Sequence, residues 1–305
     1  MQLLSRLTWI LLSIGLFKLL DDLVGVDIYL IYMAPAALIL LFGLPHGATD
    51  HMLNNFINSK QVSGRVTFSF ITLYFTIIFV YAAVWYLSPE VALLIFLFLS
   101  AYHFGETQWI RYQRVISCDS IWLRIHNFTW GVFLLGALFS IHEQQTLSFL
   151  SGLINDGIAV SSMYVCKYWI VPISMFITSV LSIRIFQFSV IFEQVVELMV
   201  LIMLFWFTEL IYAFAIFFTL FHSRDTVVAM MQIIKKETGL VFEWKSFYKH
   251  ALPFTAISLF GIGVIMIMIN QLNPDIHLIT LFFVMISLIT APHMWVIEQF
   301  YSTSK

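Results

Sequence analysis

The chain has 305 residues, of which 61% are hydrophobic, 17% are aromatic and only 10% are charged. A soluble domain carries roughly 25% charged residues, so this composition excludes a water-soluble globular protein. The formal net charge is −2 and no basic patch of the kind that binds nucleic acid is present, so no nucleic-acid partner is predicted.

Long apolar runs predict membrane-spanning helices along the whole chain. Helices are favoured over a barrel because runs such as 77–84 do not alternate between apolar and polar residues, and lipid forces each segment to satisfy its own backbone hydrogen bonds. In chain order the predicted helices cover residues 7–20, 28–45, 66–88, 90–104, 122–142, 167–186, 190–207, 209–222, 250–270 and 277–297. The predicted fold class is an all-α polytopic bundle of about eight to ten transmembrane helices, forming a single membrane domain over 1–305.

The segment 187–222 allows two interpretations, one long tilted helix or two short helices around Glu209. Lysine and arginine concentrate in the loops on one side of the bundle only if this segment is split, and such loops face the cytoplasm. The main basic residues of that side are Lys60, Arg65, Arg111, Arg114, Arg124, Arg184, Arg224, Lys235, Lys236, Lys245 and Lys249. A multi-pass cell-membrane protein with both termini in the cytoplasm is therefore predicted.

Four histidines, His46, His103, His222 and His293, lie where the apolar runs of even-numbered helices end. All four ends should face the cytoplasm at a similar depth. Imidazole is costly in hydrocarbon and is a common ligand of transition metals, so the four predict a buried metal centre. Nitrogen ligands without a thiolate cluster suit zinc, copper or iron. Two of them could clamp a b-type haem, and three or more with open positions would suit non-haem iron and dioxygen.

Carboxylates flank two of these histidines. Asp50 lies one turn beyond His46, with His51 beside it, and Glu106 lies one turn beyond His103. Either carboxylate could orient an imidazole as a hydrogen-bond acceptor. Nearby glycine and proline residues are expected to end or kink helices around a cavity; they are Gly43, Pro45, Gly47, Gly105 and Pro292.

Other polar residues also lie in or beside the apolar runs. Four further histidines are interpreted as helix-interface, loop or helix-edge residues without a role in the metal centre: His126, His142, His250 and His277. Glu193, Glu197 and Glu209 either face a polar cavity or mark an interfacial helix over 187–199.

Four short motifs resemble one known family. They are GLPHGATDH at 43–51, YHFGE at 102–106, FHSR at 221–224 and APHM at 291–294. In this order they resemble the Brp/Blh proteins, bacterial and archaeal membrane β-carotene 15,15′-dioxygenases. The resemblance implies Fe²⁺ held by histidines and symmetric cleavage of β-carotene by dioxygen into two retinals, often for rhodopsins. It places His46, His103 and His222 at positions that the family uses as iron ligands. The implied partners are a lipophilic carotenoid, dioxygen, membrane lipid and a retinal-binding rhodopsin.

One position departs from the family pattern. The third motif of the family carries a second histidine one turn after the first, and this chain has Thr226 there, with Asp225 beside it. Threonine is a poor iron ligand. Either His293 or Asp225 completes the site, three histidines suffice, or this member is a non-catalytic carotenoid- or retinal-binding relative.

Overall fold

The computed structural model describes residues 2–24, 35, 37–113, 121–272 and 278–303. Within these ranges every regular element is a helix and no strand occurs. The predicted all-α fold class is therefore confirmed.

The helices of the described ranges are labelled in chain order. They are α1 Gln2–Val24, α2 Leu44–Gly47, α3 Asp50–Ser59, α4 Phe68–Leu87, α5 Pro89–Gln113, α6 Ile121–Ile141, α7 Glu143–Leu150, α8 Asp156–Ile185, α9 Phe188–Phe207, α10 Leu210–Thr238, α11 Trp244–Leu272 and α12 Leu278–Thr303. Three π-helical turns interrupt this pattern. Ile39–Gly43 leads into α2, Cys166–Ile170 lies within α8, and Phe218–Ser223 lies within α10.

Among the described residues, seven helices are long and apolar enough to cross a membrane: α4, α5, α8, α9, α10, α11 and α12. Helices α6 and α7 together could form an eighth span with a bend of 96° between them, and α1 contributes a shorter apolar helix, Leu7–Leu19. The predicted helix over 28–45 lies partly outside the described residues. The chain is a multi-pass membrane protein.

Several of the predicted helices were too short. The predicted loops 143–166 and 223–249 are largely helical, and α5 continues to Gln113 although its apolar run ends near residue 104. Hydropathy marks a polar residue as the end of a span, but a helix continues through such residues where other helices bury them. The split of 187–222 is confirmed, because α9 ends at Phe207 and Glu209 is extended before α10 begins.

The chain divides into two compact units, each assembled from separate segments. Unit 1 comprises Met1–Phe42, Ser100–Ser151 and Asn155–Asp225, and unit 2 comprises Gly43–Leu99, Gly152–Ile154 and Thr226–Lys305. The single domain over 1–305 remains a prediction. Each unit contains two of the four histidines singled out by the sequence.

In unit 1, α5 and α6 pack so closely that their backbones touch. A Cβ added at Gly105 would lie 1.7 Å from the Asn127 carbonyl oxygen, and one added at Gly131 would lie 1.7 Å from the Ala101 carbonyl oxygen. Small residues allow such close approach between membrane helices. Gly105 lies inside α5, so it does not end the helix. This packing fixes the part of α5 that carries His103.

In unit 2, α12 packs against α3 and α4. The Trp85 indole N–H donates to the Ser287 hydroxyl at 2.9 Å, which ties α4 to α12. Phe56 of α3 contacts Phe300 of α12 with ring centroids 5.6 Å apart. Pro292 lies inside α12, so it does not end the helix, and the alternative that it kinks the helix stays a prediction. These contacts place His293 beside the residues of α2 and α3.

Gly131→Ala should destabilise unit 1, because its methyl group would collide with a backbone carbonyl that cannot rotate away. We expect a loss of at least the roughly 1–3 kcal/mol typical of overpacking, measured as a lower thermal unfolding temperature in detergent. Gly261→Ala is the matched control, because nothing lies within 4 Å of its added Cβ. Equal unfolding temperatures for the two variants would contradict the close α5–α6 contact.

Candidate metal centre

His46 is held in unit 2 by the backbone that precedes it. It lies in the single turn α2, which begins directly after the π-helical turn Ile39–Gly43 and has Pro45 in its first turn. The His46 Nδ1–H donates to the Gly43 carbonyl oxygen at 2.8 Å, and the side chain is buried. A carbonyl can only accept, so the hydrogen resides on Nδ1 and the lone pair on Nε2.

His293 is held by a carboxylate. Its Nδ1–H donates to Asp50 Oδ1 at 2.7 Å, and the other carboxylate oxygen of Asp50 accepts from the Tyr74 hydroxyl at 3.0 Å. A carboxylate that accepts from one imidazole nitrogen fixes the tautomer and orientation of the ring, as around many metal sites. The lone pair of His293 therefore also lies on Nε2.

The two Nε2 atoms of His46 and His293 lie 2.9 Å apart, and the rings are nearly perpendicular at 87°. Two nitrogen lone pairs at this distance repel each other unless a proton or a cation lies between them. With metal–nitrogen bonds of about 2.1 Å, two ligands at a right angle around one ion would be about 3.0 Å apart. The donor atoms of unit 2 thus fit a metal ion.

His46 is suited to ligation in its charge state as well. Burial, followed by the neighbouring His293, lowers the pKa of His46 to about 3, although the bond to Gly43 opposes the shift. Neutral imidazole is the form that binds metals. His46 is therefore neutral throughout the physiological pH range.

The second pair, His103 and His222, lies in unit 1. The ring centroids are 4.7 Å apart at an angle of 74°, and both side chains are buried. His222 belongs to the π-helical turn Phe218–Ser223 inside α10, and π turns frequently occur at functional sites. The Thr107 hydroxyl lies 3.0 Å from His222 Nδ1.

Phenylalanines pack against His222 of the second pair. Phe104 meets the His222 ring edge-to-face with centroids 4.6 Å apart, and Phe218 stacks on it at 5.1 Å. Phe104 also contacts Phe214 and Phe217. The His222 imidazole therefore lies among apolar aromatic rings.

The remaining predicted neighbours are placed in different ways. Glu106 is buried in α5, Asp225 pairs with Arg224 at 3.9 Å, and Thr226 is buried in the turn after His222. His51 lies against Phe254 instead, with ring centroids 4.1 Å apart.

The four histidines that were not assigned to the metal centre are placed as follows. His126 Nε2 lies 2.9 Å from the Ser182 hydroxyl and so joins α6 to α8. His142 stands between α6 and α7. His250 Nδ1 donates to the Ser246 carbonyl at 2.8 Å within α11. His277 lies outside the described residues.

The three glutamates differ in their surroundings. Glu197 is buried and accepts from the Gln108 amide at 3.2 Å, and Glu193 accepts from the Tyr112 hydroxyl at 2.9 Å. Glu209 immediately precedes α10.

Sequence reasoning missed Thr107, which contacts His222, and Tyr74, which contacts Asp50. Thr107 lies one turn after His103, and that spacing could have identified it. Tyr74 is separated from Asp50 by 24 residues and lies in an apolar run without a distinguishing pattern. Only the packing of α4 in unit 2 reveals it.

Comparison with known proteins identifies the family of the chain. The family model of β-carotene 15,15′-dioxygenase matches residues 37–301. The chain belongs to this family. A family member from an uncultured marine bacterium, 66A03, named β-carotene 15,15′-dioxygenase, is 21% identical over 277 residues, covering 86% of this chain and 91% of the relative. No solved structure matches the chain. The family match includes all four histidines, His46, His103, His222 and His293.

Asp50→Ala should lower the stability of this family member. The change removes the acceptor of buried His293 and of half-buried Tyr74, and a buried donor left unsatisfied costs about 1–3 kcal/mol. Thermal unfolding in detergent with a chelator present measures the effect without metal. Glu243→Ala, at an exposed carboxylate, is the control. Unfolding temperatures that match for both variants would rule out a structural role of the Asp50 bonds.

Proposed function

We propose that this protein cleaves the central double bond of β-carotene with dioxygen in an iron-dependent reaction and releases two retinal molecules. The observation that carries the proposal is the close approach of the Nε2 atoms of His46 and His293, in a chain that belongs to the β-carotene 15,15′-dioxygenase family. The reaction balances without an added reductant, because the cleaved carbon–carbon double bond supplies the electrons that reduce one dioxygen molecule to the carbonyl oxygens of both products.

The proposed iron ligands are His46, His103, His222 and His293. Each lies buried in its unit, and the hydrogen bonds to Gly43 and Asp50 place the lone pairs of His46 and His293 on Nε2. Imidazole ligands without thiolates suit Fe²⁺ among other metals. Bound there, iron would bind and activate dioxygen.

His293 is the proposed substitute for the family histidine that is Thr226 in this chain. Its Nε2 lies 2.9 Å from that of His46, which is within the range for two ligands of one ion. Asp225 is the weaker candidate because its carboxylate pairs with Arg224. A complete ligand set favours a catalytic protein over the binding-only alternative.

The surrounding residues have separable roles in this proposal. Asp50 and the Gly43 carbonyl hold two imidazoles in position, so that ligation requires little rearrangement. Phe104 and Phe218 exclude water from His222 and offer apolar surface to a polyene that has no charge or hydrogen-bonding group. Substrate register would then depend on shape.

The proposed cellular setting follows from the substrate. β-Carotene dissolves in the bilayer, so a multi-pass protein meets it there. We propose the cell membrane, with both termini in the cytoplasm as the basic loops predict. Retinal release would supply a retinal-binding rhodopsin.

Expression in a β-carotene-accumulating host should bleach the cells and yield retinal, measured by chromatography of cell extracts. His46→Ala should abolish both effects because it removes a proposed ligand. His250→Ala should retain them, since His250 is not a proposed ligand and its Nδ1 donates to the Ser246 carbonyl within α11. Persistent colour in cells that contain well-folded wild-type protein would refute the proposed reaction.

Purified protein should contain iron, measured by elemental analysis, and should show no haem Soret band. His293→Ala should lower the iron content severalfold, whereas Thr226→Val should leave it near the wild-type value. Equal loss in both variants would show that His293 does not replace the family histidine. A Soret band would identify a haem protein instead.

A further inference from the structure

We propose that Thr107 is a positioning residue that fixes the tautomer of His222 and thereby directs Nε2 of that ring toward a metal. The proposal rests on the proposed iron site but adds a residue that neither the motifs nor the family match identifies. All the atoms concerned lie in unit 1.

The hydrogen-bond geometry of Thr107 assigns its single hydroxyl hydrogen. The oxygen lies 2.9 Å from the His103 carbonyl, 3.1 Å from the Phe104 carbonyl and 3.0 Å from His222 Nδ1. Carbonyls can only accept, and threonine in a helix commonly donates to the carbonyl of the preceding turn. The hydroxyl hydrogen is then directed to these carbonyls, and an oxygen lone pair accepts from His222 Nδ1–H.

This assignment determines which nitrogen of His222 can bind a metal. A neutral imidazole carries one hydrogen, so a hydrogen on Nδ1 leaves the lone pair on Nε2. Thr107 and His222 are only 1% and 2% exposed, so bulk water cannot take over the role of the hydroxyl. Loss of the hydroxyl therefore allows the hydrogen to move to Nε2, where it would block ligation.

Thr107 in unit 1 corresponds in role to Asp50 in unit 2. Both accept from an imidazole Nδ1–H, Asp50 with a carboxylate and Thr107 with a neutral hydroxyl. The neutral acceptor fixes the ring without adding a second negative charge. Thr107 also follows His103 by one turn, so its hydroxyl connects the backbone of one histidine to the ring of the other.

The test compares Thr107→Val, which removes the hydroxyl at similar volume, with Thr107→Ser, which retains it. Thr255→Val is the matched control, since Thr255 is also buried and donates to the carbonyl one turn earlier, at 2.9 Å from Ala251. The first measurement is nitrogen-15 NMR of histidine-labelled, metal-free protein, with the His222 signals identified by a His222→Gln variant. The second is the affinity for Fe²⁺, and for Co²⁺ as a spectroscopic probe, by chelator competition.

We expect the Nδ1–H tautomer of His222 in wild type, Thr107→Ser and Thr255→Val, and a shift toward Nε2–H in Thr107→Val. Metal affinity should fall about 10- to 100-fold in Thr107→Val, the usual effect of losing a partner of a metal-binding histidine, and Thr107→Ser should restore most of it.

Two outcomes would overturn the proposal. One is a wild-type His222 that already carries its hydrogen on Nε2, and the other is an unchanged tautomer and affinity in Thr107→Val. A tautomer shift in protein that binds neither ion would support the positioning role and count against the iron site, so the two failures are distinguishable.

Discussion

The hydrogen bond between the Asp50 carboxylate and His293 Nδ1 is the interaction on which the candidate site of unit 2 depends. It joins residues 243 positions apart in the sequence. On one side, Asp50 also accepts from the Tyr74 hydroxyl. On the other, His293 contacts His46, which donates to the Gly43 carbonyl. Because the bond fixes the hydrogen on Nδ1, it also fixes where the lone pair points. An imidazole in hydrocarbon without such an acceptor would be a costly polar group.

Local helix irregularity and close packing support these bonds. The π-helical turn Ile39–Gly43 precedes His46 and another, Phe218–Ser223, contains His222. Each turn adds a residue to the helical repeat, which changes the face on which the following side chains lie. The glycines of α5 and α6 let two backbones touch. A bundle built in this way can bury polar side chains that an isolated membrane helix would expose to lipid.

The family relation and the chemistry support each other at different positions. The family model covers the histidine motifs as a whole, whereas the hydrogen bonds place the lone pairs of individual histidine nitrogens. The family pattern has a histidine where this chain has Thr226, and we propose that His293 takes its place, since its Nε2 lies 2.9 Å from that of His46.

The sequence by itself determined the helical membrane fold, the break between α9 and α10, and the motif order that marks the family. Hydropathy reports whether a residue prefers lipid, so it located the spans but ended α5 and α10 too early, where neighbouring helices bury the polar residues. The sequence spacing also placed Asp50 within reach of an imidazole, without indicating which one. Only the tertiary structure decided that the partner is His293, that Tyr74 and Thr107 take part, and that His51 faces Phe254. These contacts depend on how helices distant in the chain rotate and pack, and no local pattern encodes that rotation.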